Sequence, residues 1–62
     1  MSNIYALKQI EDCVPGDRLD MGVFVCIGPR AAGQGPNTVN VRLASGYHYT
    51  ETKGARVRVW ED

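Results

Sequence analysis

A chain of 62 residues has room for one domain, residues 1–62, and for a thin core. At this size only about 60% of the unfolded surface is buried on folding, so stability depends on a few well-placed contacts. Apolar residues make up 44% and charged residues 23%, too apolar for a disordered segment, and seven basic side chains offset seven acidic ones. That balance removes the long-range field that draws a protein to nucleic acid or an anionic membrane, while a local basic patch stays open.

Residues 4 to 14 fit two elements. Ile4, Leu7, Ile10 and Cys13 recur every third residue, as on the stripe of a short helix, while Ile4-Tyr5-Ala6-Leu7 can equally start a strand. Val14-Pro15-Gly16-Asp17 then reads as a turn. From Arg18 to Ile27 the chain reads as a strand bent at Gly22, with Val23, Val25 and Ile27 on one face and Phe24 and Cys26 on the other. Both faces are apolar, so the strand is expected to be covered on each side. Phe24 and Cys26 are the residues for self-association if a second copy supplies one cover.

Gly28 to Pro36 is a glycine- and proline-rich loop that carries no acid and one base, Arg30. Its length and composition suggest mobility, and Arg30 and Gln34 are the loop residues expected to assist binding. Gly33-Gln34-Gly35 begins like a dinucleotide fingerprint, but Pro36 follows and neither a third glycine nor a helix comes next.

The last third alternates. Val39, Val41 and Leu43 oppose Asn40, Arg42 and Ala44 in facing; Ser45-Gly46 turns the chain; Tyr47 to Thr52 alternates; Lys53-Gly54 turns it again. Val57 and Val59 then alternate with Arg56, Arg58 and Trp60. Two tight two-residue turns predict a three-stranded antiparallel meander. With that register, Val39, Val41, Leu43, His48, Thr50, Thr52, Ala55, Val57 and Val59 form the core face. The other face carries the rows Asn40–Glu51–Arg56, Arg42–Tyr49–Arg58 and Ala44–Tyr47–Trp60. His48 is then a structural residue of the core side.

The Arg/Tyr/Trp face, made of Arg42, Tyr47, Tyr49, Arg56, Arg58 and Trp60, supports three readings. It is a solvated face whose side chains cover one another, a protein-binding patch, or a platform for single-stranded nucleic acid. Catalysis is not expected: Cys13, Cys26, Ser2, Ser45 and His48 fall in no spacing that joins a nucleophile to a base. No ligand set for a metal and no cofactor motif is present in the sequence. Cys13 and Cys26 are expected as free thiols, with a single bridge between them as the alternative. The chain shows no basic-then-apolar leader and no apolar run near ~20 residues, which predicts a cytoplasmic protein without membrane contact.

The runs Val39-Asn40-Val41-Arg42-Leu43-Ala44 and Lys53 to Asp62, which ends Trp60-Glu61-Asp62, resemble the second and third strands of OB-fold single-stranded-DNA-binding domains, with Gly22 to Arg30 as the first strand. The departures are Ser45 where that family has an acid, an extra strand-like segment from Tyr47 to Thr52, and no strands four and five. A small antiparallel SH3-like barrel or sheet, mainly β, fits the chain better. The resulting expectation is a non-enzymatic protein-binding, inhibitory or adaptor module, with single-stranded nucleic-acid binding as the alternative.

Overall fold

The structure is a computed structural model that describes residues 4–61. It is mainly β: an antiparallel sheet of six strands in the order β1-β6-β2-β3-β4-β5, not closed into a barrel. The strands are β1 (Tyr5–Gln9), β2 (Arg18–Leu19), β3 (Gly22–Gly28), β4 (Thr38–Leu43), β5 (His48–Thr52) and β6 (Arg56–Trp60). A 3-10 turn, Ile10–Asp12, follows β1. The ambiguous first segment is thus a strand that tightens into a helical turn, and the tightening drives Ile10 into the core with no exposed surface.

Val14-Pro15-Gly16-Asp17 makes the expected turn, with Gly16 at φ +100° and Asp17 N–H donating to the Val14 carbonyl at 3.0 Å. Only glycine takes that conformation without strain. The Asp17 carboxylate accepts both the Val14 N–H at 3.0 Å and the Lys8 ammonium at 2.8 Å, which ties the turn to β1. These two donors hold the Asp17 carboxyl below the usual carboxylate range, and the same contact raises the Lys8 ammonium.

β3 carries a bulge at Val25. Phe24 lies opposite Leu43, but Cys26 lies opposite Arg42 and Ile27 opposite Val41. The extra residue reverses the alternation, so Phe24 points inward at 3% exposure while Cys26 is exposed. This corrects the expected pairing of Phe24 with Cys26 on one face. Phe24 is core, and its ring is not available to a second copy.

The core gathers Ile10, Cys13, Leu19, Phe24, Val41 and Leu43, with Val39, Tyr49, Val57 and Val59 against it. Val57 and Val59 therefore face inward as expected, and every Val and Leu of β4 and β6 lies against or within this cluster. Both thiols are free, Cys13 buried and Cys26 exposed.

The meander is replaced by a different connection. β4 and β5 form a hairpin, but Val41 faces Tyr49 and Arg42 faces His48, one residue off the expected register. The loop has three residues, Ala44-Ser45-Gly46, closed by Leu43 N–H to Tyr47 O at 3.0 Å, with Gly46 at φ +93°. A turn followed by a left-handed glycine is the usual three-residue hairpin. At Lys53-Gly54 only Gly54 has positive φ, the pattern of a type II turn, which splays strands instead of pairing them. Glu11 accepts the Gly54 N–H at 2.6 Å and Ala55 O accepts the Ile10 N–H at 2.8 Å, so the chain leaves β5 and joins β1. β6 accordingly pairs with β1 along its length and with β2 at Arg18–Trp60.

Candidate functional site

The divergence of β5 and β6 opens a cleft of about 670 Å3. It is lined by Tyr47 just before β5, Tyr49 and Glu51 of β5, Arg56 to Arg58 of β6, Tyr5 and Leu7 of β1, Leu19 of β2, and Asp20 and Met21 at the β2–β3 turn. The apolar patch that rims it is exposed, with Leu7 at 59%, Met21 at 52% and Tyr47 at 50%.

Each wall is positioned by its own ladder. Val41 opposite Tyr49 and Val39 opposite Glu51 put Tyr49 and Glu51 on the inward side of β5, and Tyr47 precedes the strand in the same alternation. Tyr49 is half-buried against the core, and the Tyr47 ring stacks beside it with centroids 6.0 Å apart. Burial raises the Tyr49 hydroxyl above its ordinary range. On the opposite wall, Leu7 pairs with Arg58 and Tyr5 with Trp60, so these four side chains share a face.

Asp20 organises that wall. Its Oδ2 accepts Arg58 Nε at 3.0 Å and lies 2.9 Å from Arg58 Nη2, while its Oδ1 accepts the Trp60 indole N–H at 2.6 Å. The Arg58 guanidinium sits 5.6 Å from the Tyr5 ring centroid and 5.7 Å from that of Trp60, and the two rings are 4.9 Å apart. Arg58 is thereby tied to a carboxylate at two nitrogens, with its charge matched. Arg56 has no such anchor: among the described residues no carboxylate lies within ion-pair distance of it.

The strand edges near the cleft also carry main-chain groups that no neighbouring strand pairs. Ile10 N–H to Ala55 O and Glu61 N–H to Ile4 O mark the hydrogen-bonded pairs of the β1–β6 ladder. Alternation then turns the main-chain groups of Arg56 and Arg58 away from β1, toward the edge that β2 covers only at Trp60. By the same rule, Leu43 N–H to Tyr47 O and Lys53 N–H to Asn37 O leave His48 and Thr50 with main-chain groups on the free edge of β5.

Of the residues expected on one face, Tyr47, Tyr49, Arg56 and Arg58 line this cleft. Trp60 supports it through Asp20 and Tyr5. Arg42 does not belong to it: it points to the outer face, opposite Cys26 and His48, and its Nε lies where a side chain on Gly28 would stand. His48 is exposed on that outer face and is not a core residue, because the one-residue register change exchanges it with Tyr49. The expected contacts Tyr47–Trp60 and Tyr49–Arg58 are replaced by Tyr5–Trp60 and by Arg58 between Tyr5 and Trp60. Tyr5, Leu7, Asp20 and Met21 escaped the sequence reading. For Tyr5 and Leu7 the signal was there in the strand alternative for the first segment.

Arg30 and Gln34 lie apart, in a second concavity of about 210 Å3 under the Gly28 to Pro36 loop. Among the described residues no group of three His, Cys, Asp or Glu could hold a metal, and no helix is long and apolar enough to cross a membrane. No family model matches this chain, and no match was found among the curated proteins or the solved structures.

Proposed function

We propose that the protein is a non-enzymatic binding module that seats an extended segment of a partner protein in the cleft between β5 and β6. One observation carries this reading: tyrosine rings, an unpaired guanidinium and free strand edges converge on a single open groove. An extended chain laid there would hydrogen-bond to the main chain of Arg56 and Arg58, while its side chains reach Tyr5, Tyr47 and Tyr49. Rings of this type supply contact area at small entropic loss, and Arg56 would meet a carboxylate or carbonyl of the ligand. A segment so bound could also block or bridge other proteins, which is how an inhibitory or adaptor role would arise.

The test is selection of binders from a displayed random-peptide library, followed by NMR mapping on the labelled protein. The expected result is perturbation of Tyr5, Tyr47, Tyr49, Arg56 and Arg58. Peptides that perturb the outer face at Arg42 and His48 instead would overturn the assignment. Saturable binding of a labelled single-stranded oligonucleotide, falling steeply with salt, would favour nucleic acid over a peptide.

A further inference from the structure

We propose that the concavity under the Gly28 to Pro36 loop binds a phosphate-type oxyanion. The site is built by three elements: Arg30 and Gln34 come from the loop, Thr38 and Asn40 from β4, and Lys53 from the turn after β5. No carboxylate lines it, and among the described residues neither Arg30 nor Lys53 has an acidic partner. In a chain of balanced charge, two unpaired cations around one acid-free hollow form a local positive site.

Cations on a surface are usually just solvated, and the feature that separates this hollow from that case is Gln34. Its Oε1 accepts the Ala31 N–H at 3.0 Å, which fixes which way the amide is turned, because reversing it would set two donors against each other. The Nε2 is then buried, with no acceptor. Buried donors almost always have a partner, and one left without it in the lining that also carries two cations calls for an oxygen anion.

The loop is arranged to hold these groups. Gln34 N–H donates to Ala31 O at 3.1 Å, Thr38 Oγ1 donates to Gly35 O at 2.9 Å, and Asn40 Nδ2 donates to Pro29 O at 2.6 Å. Gly33, at φ +81°, makes the bend that turns Gln34 inward. Asn40 keeps a second amide proton for the ligand. Ile27, Pro36 and Val39 supply apolar walls beside these polar groups. Donors arriving from loop, strand and turn suit an anion with several acceptor oxygens and more than one charge, hence phosphate over a carboxylate.

The experiment is a titration of the 15N-labelled full chain with sodium phosphate at constant ionic strength, reading the Gln34 side-chain amide. The expected result is a saturable shift there, with affinity at least tenfold weaker in the Arg30→Gln/Lys53→Gln double variant. Both changes lie on exposed positions, and an unchanged amide spectrum elsewhere shows that the variant folds. Phosphoserine serves as a second arm: tighter binding assigns the group to a larger phosphorylated molecule, weaker binding to the free ion, and either keeps the site. Linear shifts without saturation, equal binding by the double variant, or equal binding of acetate would overturn the proposal. Because this hollow is separate from the β5–β6 cleft, the result leaves the peptide reading untouched either way.

Discussion

Asp20 takes the Trp60 indole N–H at 2.6 Å through one oxygen and Arg58 through the other, so one carboxylate at a hairpin turn fixes two side chains of β6. Asp20 and Arg58 are both about half exposed, which limits the ion pair to well under 1 kcal/mol. The indole bond adds about 1 kcal/mol. Asp20→Ala is expected to lower the melting temperature by roughly 4–8 °C, as a loss of about 1 kcal/mol does in a domain of this size. Asp20→Asn, which keeps an acceptor for Trp60, is expected to lose less; thermal denaturation followed by tryptophan fluorescence checks both.

Gly54 is the hinge that sends the chain from β5 to β1. A methyl group added there meets nothing within 4 Å, so Gly54→Ala isolates the backbone penalty of its φ of +82°. The expected loss is about 1–2 kcal/mol in urea unfolding. Glu11→Ala removes the acceptor of the Gly54 N–H and is expected to lower stability by about 1 kcal/mol. A double variant that loses less than the sum would show that the two act on one turn.

Asp17 makes stability depend on acid. Its folded-state carboxyl titrates below the ordinary range, first because of the Lys8 hydrogen bond and then because of the Val14 N–H. A depressed carboxyl contributes in full above its unfolded value of about 4, and the contribution disappears as pH falls through the folded value. Asp17→Asn is therefore expected to destabilise the protein at pH 7 and to flatten the pH dependence below pH 4. Melting curves of both proteins from pH 7 to pH 2 check this; parallel curves would contradict it. Lys8 has the opposite sense, its stabilisation being lost as pH rises through its raised value.

The two thiols differ in access. Cys26 is exposed on the outer face, whereas Cys13 is buried, with its thiol pushed up by desolvation. Alkylation of the native protein is expected to add one label, on Cys26, with Cys13 reacting only after unfolding. Peptide mass mapping reads the outcome.

At the cleft, Tyr47→Ala is expected to weaken a selected peptide by about tenfold or more, as truncation of an anchoring ring typically does. Tyr47 is half exposed, so the melting temperature should stay put. Arg56→Ala should weaken binding as well, and Arg42→Ala should leave it unchanged because Arg42 lies on the other side. Calorimetric titration of the three variants separates these outcomes.

Local alternation made β4 and β6 legible, and it put Val41, Leu43, Val57 and Val59 inward correctly. It failed where one residue of loop length decides everything. Ser45-Gly46 reads equally as a two-residue turn or as the end of a three-residue one, and the second choice moves Tyr49 inward and His48 outward. Val25 gives no signal of a bulge, since valine suits a regular strand as well. The type II geometry at Lys53-Gly54 depends on the φ of Lys53, and a lysine does not announce it. Tyr5–Trp60 joins residues at opposite ends of the described chain, and no window of local pattern contains both.

That last pairing gives β1 a topological cost. Tyr5 and Trp60 lie at opposite ends of the described chain, and β6 is the strand beside β1 in the sheet order, so β1 gains its place in the sheet only through a contact of long sequence separation. Closing so long a loop carries an entropic cost and slows folding, and the same closure brings the Ala55 carbonyl to the Ile10 N–H. β6 is thus the strand that fastens β1 to the rest of the sheet.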